Sequence, residues 1–68
     1  MATTGLDLRL ERVAARVKLN ALADRLGRDR RTVGRYETLA VVEPDIASAY
    51  REALATFREV ATSTESAA

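Results

Sequence analysis

The stretch Leu19 to Glu37, LNALADRLGRDRRTVGRYE, decides how this chain folds. Its first half places Leu22, Ala23 and Leu26 on one apolar face, the i, i+1, i+4 pattern of a packed helix. Gly27 ends that helix, because glycine adopts the left-handed closing conformation without steric cost. Asp29 then stands where a carboxylate would accept from the free amides near Thr32 and cap a second helix. That helix buries Val33 and Tyr36 and turns Arg30, Arg31, Gly34 and Arg35 outward. Two short helices around a tight turn, the second fronted by arginines, make a helix-turn-helix of a size that enters a DNA major groove.

A chain of 68 residues has room for one domain, here expected over residues 1–60, with a disordered tail over 61–68. Apolar residues at 47% and charged residues at 31% suit a compact chain. Aromatics are limited to Tyr36, Tyr50 and Phe57, so the core is aliphatic and alanine-rich, thin enough that a partner subunit would help it. The chain contains neither Cys nor His. Disulfides, thiolate chemistry, histidine general bases and ordinary zinc sites are therefore excluded. With no nucleophile-and-base constellation, no glycine-rich phosphate loop and no carboxylate cluster, the expectation is a protein that is not an enzyme and needs no metal, cofactor or small-molecule substrate. The longest apolar run, Leu39 to Val42, is too short for a membrane span or signal-peptide core. A cytoplasmic location follows as the expectation.

The net charge of +1 conceals a polarity along the chain. Residues 8–36 carry nine cations against three anions, whereas residues 37–68 carry two cations against six anions. The basic half coincides with the helix-turn-helix, an electrostatic footprint for phosphate. A solvated arginine surface is the plainer alternative.

Around this centre the sequence reads as all-α, a bundle of four helices at about 5–16, 19–26, 30–37 and 44–61. Thr4 and Asp7 fit a capping box for the first helix, whose Leu6, Leu10, Val13 and Val17 form a stripe expected to face the core. Before the second helix, Asn20 caps a shortened helix, or the helix starts at Lys18 without a side-chain cap. Residues 38–43 read as a short strand or as an extended connection whose Leu39 and Val42 cover the core. Pro44 and Asp45 suit the first turn of the last helix, whose stripe runs from Ile46 through Tyr50 to Val60. Leu54, Phe57 and Val60 exceed what so small a domain covers, and read as a packed end or a dimer seam.

The segment ALADRLGRDRRTVGRYE resembles the helix-turn-helix of the phage Cro and repressor (XRE-like) DNA-binding family. Leu22, Ala23, Leu26, Gly27, Thr32, Val33, Arg35 and Glu37 carry the likeness, which is sharp over residues 17–37 and extends loosely over 6–58. The resemblance implies base-edge contacts from Arg30, Arg31, Gly34 and Arg35, and it implies an ion pair between Arg12 and Glu37 that pins the first helix to the third. Arginine suits base reading because its fork pairs bidentately with guanine. Arg9, Lys18 and Arg28 are expected at phosphate, and Thr32 at a phosphate or a thymine methyl, with local capping as its plainer role. Two places depart from the family: Lys18 and Leu19 replace the usual small cap and phosphate-touching glutamine, and Arg28 replaces a small apolar turn residue. A strand at 38–43 could pair with its copy in a second subunit, as in some Cro proteins.

The resulting expectation is a sequence-specific regulator of transcription, a Cro-like repressor of phage type. It would act in the bacterial host cytoplasm and bind a palindromic double-stranded operator as a homodimer. A DNA-bending excisionase and an antitoxin-type interaction module are the alternatives.

Overall fold

The computed structural model describes residues 2–67, with side chains through residue 57. Four helices follow in order: α1 (Gly5–Ala14), α2 (Leu19–Leu26), α3 (Arg30–Tyr36) and α4 (Pro44–Ala67). The architecture is all-α, as the sequence implies. Helices α2 and α3 pack together, and α4 lies against both α2 and α1. Their common core holds Leu8, Leu22, Ala23, Val33, Tyr50 and Leu54.

The local signals act as expected at most helix ends. Thr4 Oγ1 accepts from the Asp7 amide, and Asp7 Oδ2 accepts from the Thr4 amide, both at 3.1 Å, closing the capping box. Those bonds hold the Asp7 carboxyl below its ordinary pKa. Gly27 takes φ +67° and closes α2 with bonds to the carbonyls of Ala23 and Asp24. Lys18 is the residue before α2 and gives no side-chain cap, which settles the start of that helix.

Helix α1 stops at Ala14 instead of 16. Arg16 takes the left-handed conformation at φ +59°, and the amides of Arg16 and Val17 return to the carbonyls of Val13 and Arg12. This is the closure that glycine usually makes, performed by an arginine at a cost of about 1–2 kcal/mol.

The expected inward stripe of α1 is reversed. Leu6, Leu10 and Val13 are 57%, 57% and 54% exposed, while Leu8 is fully buried; of the four stripe residues, Val17 alone is in the core. The reason lies in two neighbours on the inner side. A β-carbon built on Gly5 would lie 2.5 Å from the Glu37 carbonyl carbon, so α1 enters against the α3 backbone at a distance only glycine permits. Arg12 is drawn inward by Glu37. These two contacts set the helix rotation, and the leucines follow it outward.

Residues 38–43 form no strand; no strand occurs among the described residues. The backbone groups that a strand would offer are already used: the Gly5 amide donates to the Leu39 carbonyl and the Val42 amide to the Thr3 carbonyl, each at 2.8 Å. Val42 is buried, but Leu39 is exposed.

Helix α4 runs to Ala67, past the boundary expected at 61, so the backbone over 61–67 continues the helix. That stretch lacks apolar periodicity but also lacks Gly and Pro, and its Ala and Glu residues favour helix. Of the candidate seam, Leu54 is core and Phe57 is half-buried against it. The Val60 side chain lies outside the described residues.

Candidate nucleic-acid interface

Helix α3 has only seven residues, too few to hold its own shape in water. Its C-terminal end is instead clamped. Arg12 Nε donates to Glu37 Oε2 at 2.7 Å and Nη2 to Oε1 at 3.0 Å, a bidentate fork, while Nη1 reaches the Val17 carbonyl at 3.0 Å. This is the pair the family resemblance implies. Tyr50 brings its hydroxyl from α4 to 2.6 Å from Glu37 Oε2 and 3.1 Å from the Leu8 carbonyl. The hydroxyl has one proton, and the shorter, charge-assisted bond takes it.

One carboxylate therefore joins α1 and α4 to the end of α3. Glu37 is the one buried charged residue among those described, and no buried polar side-chain atom there lacks a partner. The Glu37 hydrogen bond raises the Arg12 pKa, and burial pushes the Tyr50 hydroxyl well above its ordinary range. Sequence reasoning placed Tyr50 only in the apolar stripe. The overlooked signal is the phenol itself, since a buried tyrosine hydroxyl requires a partner.

The outward face of α3 is chemically opposite. Arg30, Arg31 and Arg35 are exposed, and none forms an ion pair among the described residues. Asp29 occupies the cap position, but its carboxylate makes no capping bond, contrary to expectation. Asp29 lines an open depression together with Leu19, Arg30, Arg31 and Gly34. Gly34 has an ordinary helical conformation, since Gly27 is the only glycine with positive φ. In that setting a glycine costs about 1 kcal/mol relative to alanine.

Other candidates are more dispersed. Lys18 is exposed at the start of α2, where the helix amides lack a side-chain cap. Arg28 lines a separate hollow beside Leu26, Tyr36 and Ile46. Tyr36 is half-buried against the core, so it supports α3 from behind. Thr32 is half-buried on α3. Arg9 is exposed on α1 and does not line the α2–α3 depression. Sequence reasoning treated Leu19 only as a lost phosphate contact, and its place beside Gly34 was not foreseen.

Compared with protein-family models, curated proteins and solved structures, the chain matches none. Among the described residues no helix is long and apolar enough to cross a membrane, and no three metal-ligating side chains come together. The fold and its surface chemistry therefore carry the functional argument alone.

Proposed function

We propose that this chain is a sequence-specific, double-stranded DNA-binding regulator of transcription of the Cro-repressor type. In this reading α3 lies in the major groove, and two copies occupy a palindromic operator in the cytoplasm of a bacterial host. The observation that carries the reading is the combination on α3 of exposed Arg30, Arg31 and Arg35, with no ionic partner among the described residues, and a buried clamp at Glu37. Arg12, by contrast, is turned inward and paired. Arginines held out from a fixed helix are arranged for an external anion or a guanine edge.

Lys18 and Arg28 flank this face as phosphate neutralisers, and the uncapped start of α2 offers its amides to the same backbone. A single module of this size buries only about 600–1,000 Å² on DNA, which favours paired binding to half-sites roughly one helical turn apart. Selection of bound sequences from random duplex DNA, followed by footprinting, tests the proposal. The expected result is an inverted repeat with about 10 bp between half-site centres. Recovery of unrelated sequences, or of one asymmetric contact region, would reject sequence-specific dimeric binding.

A further inference from the structure

We infer that the depression between α2 and α3 seats the C5-methyl group of a thymine, with Leu19 as its apolar wall and Gly34 keeping it open. This rests on the DNA-binding reading above and names what one part of that face recognises.

Leu19 is the single apolar side chain among the five residues lining the depression. It is half-buried and packed against the core, so it cannot swing aside to leave a purely polar surface. A phosphate would find Arg30 and Arg31 here but gains nothing from the leucine, and Asp29 lines the same depression. Base edges suit the lining better. In the major groove, thymine alone among the ordinary bases presents an apolar group, while guanine offers paired acceptors to arginine, and cytosine and adenine offer amino groups to a carboxylate. Leu19, Arg30, Arg31 and Asp29 thus supply a counterpart for each kind of group within one depression. The depression, about 470 Å³, admits the edge of a base and not merely a methyl group.

Gly34 supplies the second, independent observation. A β-carbon built there would meet Leu19 Cδ2 at 3.5 Å, an ordinary contact, and nothing else within 4 Å. The fold therefore accepts alanine at this position, unlike Gly5. What glycine preserves is the empty space against Leu19.

The test uses the duplex that the intact chain selects. Each thymine is replaced in turn by deoxyuridine, which keeps every hydrogen-bonding group and removes only the methyl. At one thymine per half-site the replacement is expected to weaken binding about fourfold, the effect of one buried methyl. At a cytosine that replaces that thymine, 5-methylation is expected to recover part of the loss. In Gly34→Ala the new methyl occupies the space, so thymine and uracil should bind alike at that site. Circular dichroism melts should show Gly34→Ala at least as stable as the parent chain. Indifference of the parent chain to uracil at every position would overturn the methyl seat while leaving DNA binding intact. So would a uracil penalty that persists in Gly34→Ala. A chain that selects no duplex would overturn this inference and the proposed function together.

Discussion

The two ends of α3 differ in almost every chemical respect. At Glu37 a carboxylate receives both arms of Arg12 and the hydroxyl of Tyr50, inside the protein. At Arg30 and Arg31, two turns away, the charges face solvent with no ionic partner among the described residues. A seven-residue helix cannot be rigid by itself, so rigidity is supplied at one end and chemistry is presented at the other. Groups fixed before binding lose less entropy on binding, which is the physical value of this division.

The largest expected effect comes from dismantling the clamp. Glu37→Ala leaves Arg12 and Tyr50 without their acceptor and should cost about 3–5 kcal/mol, as removal of one member of a buried pair does. In denaturant melts the double mutant with Arg12→Ala should lose less than the two single losses combined. Additive losses would mean that the pair does not act as a unit.

On the outward face of α3, Arg31→Ala in the first turn and Arg35→Ala in the last should leave the melting temperature unchanged while costing about 1–3 kcal/mol per half-site on the operator. Lys18→Ala should weaken operator and scrambled duplex alike and lower the salt slope by about 1. Titrations of both duplexes over a salt series separate the two behaviours. Equal losses on both duplexes for Arg31→Ala would reduce this end of α3 to an electrostatic anchor.

Gly5→Ala probes how closely α1 rests on the clamp. The added carbon meets backbone atoms of Tyr36 and Glu37 at 2.5–2.7 Å, and overpacking of this kind costs about 1–3 kcal/mol. Thermal melts should show that loss, and an unchanged melting temperature would mean that α1 can move away freely.

A smaller effect concerns alkali. The Tyr50 hydroxyl titrates higher in the folded protein than its ordinary value of 10.0, so the fold binds that proton more tightly than the unfolded chain does. The associated stability is complete below about pH 10 and falls above it, by up to about 1.4 kcal/mol per pH unit. Tyr50→Phe should flatten that alkaline decline in melts between about pH 9 and 11. An unchanged decline would assign it to another group.

The smallest effect belongs to the exposed pair of Arg51 and Glu11. It is nearly as short as the buried one, 2.8 Å against 2.7 Å, but its side chains are 45% and 35% exposed against 14% and 6% for Arg12 and Glu37. Arg51→Ala should change stability by less than about 1 kcal/mol. A larger loss would show that bond length, and not burial, governs these ion pairs.

The helix-turn-helix was legible because its signals are local. Gly27, the Leu22–Ala23–Leu26 face and the spacing of Val33 and Tyr36 each act within a few residues, and α2 ends where they place it. The rotation of α1 was not legible, because Arg12 finds Glu37 25 residues away and a count of leucines treats every arginine as outward. That pair was foreseen from the family resemblance alone. Its consequence for Leu6, Leu10 and Val13 was missed, since an inward arginine and an inward leucine stripe cannot share this helix. The arginines of α3 were visible as outward-facing residues. Leu19 was not recognised as part of that surface, because its place beside Gly34 depends on how the two helices cross.

The Tyr50 hydroxyl sits beside a carbonyl made 42 residues earlier. On the ribosome, α2 and α3 are complete before that phenol exists, and Arg51, the outer partner of Glu11, follows one residue later. The α2–α3 pair is thus made before the residue that completes its clamp. Until α4 emerges, the first helix is held by the Arg12–Glu37 pair and by the backbone bonds of Thr3 and Gly5 to Val42 and Leu39.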